Sequence, residues 1–387
     1  VQGYGALMVV PTMFLALAGL TKAAQMPFHS WLLGAMVAPT PTSALLHSST
    51  MVKAGVFLIL KLAPCLGFNM AGIMVMLIGG ITFLLASFAA ISQSNGKRVL
   101  AYSTIANMGL IVICGGVGAT GAVWAGIMLL IFHAITKSLM FLCVGTAEHQ
   151  IGSRDIEDMD GLFGRLPRLA SFMMIGIAGM FLAPLGMLIS KWAAMTSFID
   201  SGNFFLVAVI CFGSAATAFY WTKWLGKLSG IAGEPKNVEM TVHRSEWTSI
   251  MLMAVLAVLA CIGLPLLSYF VVEPYVVSVY GVVGQDIAAD NLWIASIAVA
   301  IVVIVLFAGL GRTKAKKVDV YLAGVGRDNA GRTFQNSLSG ETQATARNWY
   351  LEGIFGEKRI APIGTVMCSL VIIVAFAASA VALPGLF

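Results

Sequence analysis

The sequence predicts an all-α fold, a polytopic transmembrane helix bundle of about ten spans with two of them broken in mid-membrane. Three observations carry that prediction. Of 387 residues, 59% are hydrophobic and 10% are charged, against about 25% charged in an ordinary globular chain, so a fold in water has no way to cover this much apolar surface. Apolar runs of the length that crosses a bilayer recur along the chain. The 23 Lys and Arg residues either lie inside those runs or fall in loops that, counted by alternation, share one side.

The spans cover roughly 5 to 37, 42 to 63, 70 to 92, 99 to 118, 121 to 146, 168 to 200, 203 to 224, 248 to 271, 291 to 311 and 361 to 382. With these alternating, Lys97 and Arg98, then Arg154 and Arg165, then Lys227, Lys236 and Arg244, and finally the basic segment 312–360 all share one side, with Arg168 at its edge. The loops 64–69, 119–120 and 201–202 on the other side carry no basic residue, and 272–290 offers only Glu273, Asp286 and Asp290. Basic loops mark the cytoplasmic face, so the expectation is an integral protein of a prokaryotic cytoplasmic membrane. The net charge of +6 therefore reads as orientation in a lipid bilayer, and nucleic acid is excluded as a partner.

The first span contains Lys22 five residues before Pro27, which donates no hydrogen bond to the helix ladder and frees carbonyls near Thr21 to Ala23. Loosened backbone at mid-membrane lines hydrated cavities in transporters; a plain kink with Lys22 reaching water is the alternative. The second span carries His47, Ser48, Ser49, Thr50 and then Lys53 near its middle, too deep to reach the interface easily. An ammonium costs about 2.5 to 3.5 kcal/mol to insert at that depth. Stripped of water, it is disposed to exchange its proton unless a carboxylate or water compensates. Lys53 bonded to helix carbonyls is the structural alternative.

The fifth span places His133 and Lys137 four residues apart on one helix face, where a water can link them as a proton relay. Glu148 and His149 follow at its cytoplasmic end, where a proton would enter. The sixth span repeats the device of the first, with Pro184 and Gly186 followed by Lys191. Two broken spans with one lysine each read as remnants of inverted repeats. Lys61 and Lys223, near span ends, read as snorkelling residues, and Trp221, Trp224, Trp247 and Trp293 as interfacial anchors.

The remaining features are less informative. Cys65, Cys114, Cys143, Cys211, Cys261 and Cys368 fall in or beside apolar runs without a C-x-x-C pair and read as small core residues. Gly116 to Gly121 matches G-x-G-x-x-G but lies in a tight turn between spans, with no strand before it. No nucleotide, iron-sulfur or metal motif is evident, so no cofactor is expected in this chain and whatever powers ion movement is expected to lie elsewhere. The segment 312–360 reads as a cytoplasmic docking loop. The chain begins Val1-Gln2 with neither initiator Met nor signal-peptide pattern, which implies that a longer polypeptide precedes it.

The motif residues are recognisable as a set. Lys22-Ala-Ala-Gln-Met-Pro-Phe-His-Ser-Trp-Leu and Ala38-Pro-Thr-Pro-Thr-Ser-Ala-Leu-Leu-His-Ser-Ser-Thr-Met-Val-Lys-Ala-Gly are followed by Lys97-Arg-Val-Leu-Ala-Tyr-Ser-Thr. Phe132-His-Ala-Ile-Thr-Lys-Ser-Leu-Met-Phe and Leu188-Ile-Ser-Lys-Trp complete the pattern. Across residues 5–225 the chain resembles the antiporter-like proton-pumping subunits of respiratory complex I, a superfamily that includes multi-subunit cation/proton antiporters and the membrane arms of energy-converting hydrogenases. Trp31-Leu-Leu-Gly-Ala-Met-Val-Ala-Pro-Thr-Pro and Asn348-Trp-Tyr-Leu-Glu-Gly look most like the large membrane subunit of the hydrogenase branch.

The resemblance implies an ion-translocating bundle over 1–225, its first repeat incomplete, and a C-terminal extension over 226–387. It implies that Lys22 is the lysine of the first broken helix, that His47, Lys53, His133 and Lys137 form a connecting polar axis, and that Lys191 ends it. The family's glutamate partner for the first lysine lies on a helix earlier than this chain begins, and the long lateral helix of the largest complex I subunit is not evident in 312–359. The implied function is proton or Na+ translocation driven by partner subunits, membrane and peripheral, that hold Fe-S clusters and Ni-Fe or flavin. The nearest alternatives are membership of complex I itself and membership of a multi-subunit Na+/H+ antiporter. Outside the superfamily, a stand-alone secondary transporter and a structural membrane anchor remain.

Overall fold

The computed structural model describes residues 5–181, 186–229, 238–281 and 348–382, with scattered positions between 293 and 343. Helix α1 (Gly5–Lys22) ends in an irregular turn and resumes as α2 (Ser30–Gly34), prolonged by a 3-10 turn at Ala35–Val37. Helices α3 (Thr40–Ser48) and α4 (Met51–Leu62) then recross the bundle, followed by α5 (Met70–Ile91), α6 (Gly96–Val117) and α7 (Thr120–Ile151). A loop bearing α8 (Leu162–Arg165) leads to α9 (Pro167–Phe181), α10 (Met187–Asp200) and α11 (Phe204–Ser229). The extension comprises α12 (Arg244–Ile262), α13 (Leu264–Leu267), a π-helical turn at Ser268–Val272 and α14 (Glu273–Tyr280). A three-residue antiparallel ladder follows, β1 (Thr333–Gln335) with β2 (Glu341–Gln343), then α15 (Glu352–Phe355) and α16 (Glu357–Ala382).

Among the described residues, seven helical stretches are long and apolar enough to cross a membrane, and the shorter apolar helices Met8–Lys22, Pro167–Phe181 and Leu264–Tyr280 add to them. The expected ninth span, 291–311, falls almost entirely outside the described residues, as do Pro184 and most of 312–347. The chain is an integral membrane helix bundle.

Helix ends are set by local chemistry. Asn69 and Asn95 accept from the backbone N–H groups of Gly72 and Arg98 at 2.9 and 3.2 Å, satisfying donors that the first turns of α5 and α6 leave open. Gly118 closes α6 in the left-handed conformation, φ 69°, which a Cβ would oppose.

Helix α6 is the centre: its apolar window is 100% buried, whereas the windows of α12 and of the stretch containing α16 are 22% buried and face outward. α5 meets α6 where Gly79 and Gly109 face each other; a Cβ on Gly109 would lie 2.7 Å from the Gly79 carbonyl oxygen. Backbones approach this closely only through small residues, the common solution for helices packed in lipid.

The alternation expected from sequence agrees with the contacts. Arg98 pairs with Glu357, Glu148 pairs with Lys97 and Arg154, and Lys227 pairs with Glu157 and Asp160, so the basic helix ends gather at one end of the bundle. Two expectations need correction. The second span is not continuous: Ser49 and Thr50 interrupt it between α3 and α4, since Thr50 leaves the helical region at φ −115°, ψ −87° and its hydroxyl bonds the Leu45 carbonyl at 3.1 Å. Trp221 and Trp224 are not interfacial anchors; both indoles are fully buried between α11 and the centre, and stack at 5.7 Å.

Candidate functional site

The breaks in the helices create the site. After Lys22 the backbone turns through Ala24, held at φ 52°, a strained region for a residue with a Cβ. The carbonyls freed there are satisfied from outside the ladder: Trp31 Nε1 donates to the Thr21 oxygen at 3.2 Å and Gln25 Nε2 to the Ala23 oxygen at 3.0 Å. Thr82 on α5 accepts from the Met26 N–H at 3.1 Å. The backbone around Pro27 is thus closed by side chains at Thr21 and Ala23, where the sequence predicts freed carbonyls lining a hydrated cavity.

At the second break, hydroxyls run in a short chain from α7 into α3: Ser138 Oγ donates to Ser48 Oγ at 2.7 Å, and Ser48 meets Ser49 at 3.0 Å. Behind them His47 is fully buried, stacked on Phe141 at 5.5 Å, and neither imidazole nitrogen has a partner among the described residues.

Lys53 begins α4 just beyond the break and points inward, 6% exposed. Its Nζ lies 2.7 Å from His133 Nδ1 and 3.7 Å from Met108 Sδ. His133 thus makes a direct contact with Lys53 across two helices, beside the Lys137 that shares its face of α7. The reason is directional: at i and i+4 the two α7 side chains share a face, and the facing elements offer each its own partner.

Lys137 Nζ donates to the Leu100 carbonyl at 3.1 Å and to Ser103 Oγ of α6, and sits 5.1 Å from the centre of the Trp221 ring. Lys191, 5% exposed on α10, lies within electrostatic range of His133, as do Lys53 and Lys137. Gly186, just before α10, packs against α7: a Cβ there would overlap the ring of Phe132, the neighbour of His133.

Among the described residues, the ion pairs all involve helix-end or loop groups, and none reaches Lys53, Lys137 or Lys191. Lys22 stands apart, exposed at the end of α1, and the structure does not bring it to the buried group.

Glu148 and His149 lie where expected, at the basic end of α7. Glu148 binds Lys97 at 3.4 Å, accepts from Thr40 Oγ1 at 3.3 Å and pairs with Arg154, while His149 Nδ1 meets Glu246 at 2.9 Å. Lys61 is exposed beside the Tyr275 ring, and Lys223 donates to the Ile91 carbonyl at 2.6 Å under the Tyr350 ring.

Sequence reasoning missed Ser103, Trp221, Thr40 and Glu246. Ser103 had a signal, since a hydroxyl in the middle of an apolar span at Ala101-Tyr-Ser-Thr needs a partner. Trp221 had none, because its place near a span end matches an interfacial anchor equally well.

Comparison with known proteins identifies the family. Residues 3–217 match the family model described as NADH:quinone oxidoreductase/Mrp antiporter, transmembrane. A Na(+)/H(+) antiporter subunit of Bacillus subtilis (strain 168) is 34% identical over 299 residues, covering 70% of this chain and 37% of that protein. The chain thus spans about a third of the length of the curated relatives it matches. Among solved structures, the Mrp complex from Dietzia sp. DQ12-45-1b superposes with a TM-score of 0.60 at 30% identity, covering 81% of this chain and 35% of that one. Respiratory complex I from Thermus thermophilus with bound NADH superposes with a TM-score of 0.62 at 21% identity, covering 71% and 59%, a likeness of fold. With more than half of its length inside the family model, the chain belongs to the NADH:quinone oxidoreductase/Mrp antiporter transmembrane family.

Proposed function

We propose that this chain is the ion-translocating part of a multi-subunit cation/proton antiporter complex, and that protons move along His47, Lys137, Lys53, His133 and Lys191. The observation that supports it is the group of buried amines that have no carboxylate partner among the described residues, Lys53 lying against an imidazole and Lys137 against a hydroxyl. An ammonium this poorly compensated is costly to keep, which makes it ready to exchange its proton with a neighbour.

Glu148 and His149 stand at the basic end, which is the cytoplasmic end on this reading of a prokaryotic membrane, and protons enter there. The unpartnered nitrogens of His47 and His133 call for water, since buried N–H groups and lone pairs are otherwise satisfied in folded proteins. Carrying one charge against 100 mV requires about 2.3 kcal/mol, which the countermoving cation or a partner protein of the complex has to supply. The relatives named for Na(+)/H(+) antiport and for the Mrp complex favour the antiporter reading.

A redox-driven complex is the second reading, favoured by the resemblance of Trp31 to Pro41 and of Asn348 to Gly353 to the hydrogenase branch. There the drive would come from partner subunits holding Fe-S clusters with Ni-Fe or flavin. The test reconstitutes the complete complex in vesicles with an interior pH dye. Na+ or K+ addition across an imposed pH gradient collapses that gradient on the antiporter reading. A gradient that forms only when electron donor is supplied supports the redox reading. Transport by this polypeptide alone indicates a stand-alone carrier, and no transport by the intact complex leaves a structural anchor.

A further inference from the structure

The ammonium of Lys137 has three N–H donors in a fully buried setting, and two of them are taken by the Leu100 carbonyl and Ser103. Among the described residues, the charged or titratable groups in electrostatic range of it are no source of negative charge: Lys53 on α4, His47 on α3 and His133 on its own helix are cationic or neutral. What remains is the face of Trp221, 5.1 Å from Nζ to the ring centroid, which is inside the distance at which an aromatic quadrupole attracts a cation.

That ring is firmly set. Trp221 is fully buried, tilted against Tyr220 at 5.3 Å and stacked at 13° on Trp224, whose own ring closes on the position a Cβ of Gly96 would take. Cation–π attraction strengthens as water is excluded, and both partners here are fully buried, whereas Lys61 beside Tyr275 is exposed and Lys223 beside Tyr350 is half-buried.

We infer that Trp221 is a positioning residue for ion transport, its indole face serving as the counter-charge that keeps an ammonium on Lys137 in a site with no carboxylate among the described residues. The inference rests on the transport reading above and adds to it a residue on α11, outside the lysine and histidine motifs.

The test uses the assembled complex in vesicles and replaces Trp221 with its mono-, di- and trifluoro analogues, which keep the shape of indole while draining its π face. Transport is expected to fall stepwise with each fluorine, by about tenfold across the series, with the same series at Trp224 flat. Trp221→Phe retains part of the activity and Trp221→Leu less. A flat series at Trp221, in a complex that Lys137→Met inactivates, overturns the inference and leaves the transport reading intact. Full transport by Lys137→Met overturns both. A parallel decline at Trp224 and Trp221 also overturns it, because packing rather than charge would then explain the loss.

Discussion

Lys97 and Lys137 are both almost wholly buried, 1% and 0% exposed, yet they are compensated in opposite ways. Lys97, at the start of α6, has Glu148 at 3.4 Å and the Ala38 carbonyl at 3.3 Å, and Glu148 is tied further to Arg154. Lys137, one helix away, has a carbonyl, a hydroxyl and an indole face. The same division runs through the molecule: Lys227 at the basic end holds Glu157 at 2.8 Å, whereas Lys53 in the interior holds only an imidazole and a thioether. A buried charge without its partner is among the costliest features a fold retains. The rim pairs fasten helix ends, with Glu148 also at the proposed proton entry, and on the proposed function the interior amines persist because their protons move.

Substitutions at the two regions should separate accordingly, and the largest effect is expected inside. His133→Leu removes the nitrogen partner of Lys53 and should lower vesicle transport more than tenfold while the complex still assembles; full transport would move the axis elsewhere. At the rim, Glu148→Gln leaves Lys97 short of a charge, and detergent-solubilised complex should lose about 1–3 kcal/mol of stability, read as a lower unfolding midpoint. An unchanged midpoint would make that pair ornamental.

A smaller effect belongs to the contact that fastens the returning segment. Burial works against the charge of Glu157, but hydrogen bonds from Lys227, the Tyr350 hydroxyl at 2.6 Å and the Asn348 N–H at 3.1 Å outweigh it, and its carboxyl is held below the ordinary value of 4.5. The folded value is depressed, so this stabilisation is complete above the ordinary value and is lost as pH falls below it. Proteolysis around Tyr350 should therefore accelerate as pH falls below that ordinary value, and Glu157→Gln should abolish that pH dependence. Lys61→Gln, at an exposed ring contact, should change stability by less than about 0.5 kcal/mol.

Much of this was legible in the sequence because the bilayer imposes simple rules. Span length, the side taken by basic residues and the proline after Lys22 follow from backbone satisfaction in lipid, and they located the bundle, its basic end and its first break. The break between α3 and α4 was not legible, since Ser49 and Thr50 interrupt the helix through hydroxyl contacts with Ser48 and Leu45 that no periodicity reveals. The partner of His133 was equally hidden: spacing of four puts Lys137 on the same face, but Lys53 arrives from another helix. Trp221 shows the same limit, because depth in the fold and position along a span are different quantities.

The contrast between rim and interior is tested most directly by one pair of variants in the reconstituted complex, Lys137→Met and Lys227→Met, assayed side by side for ion transport after matching the amount of assembled protein. The expected result is loss of transport with Lys137→Met and retention of most of it with Lys227→Met. Undiminished transport with Lys137→Met would contradict the assignment of the buried amines as the ion path.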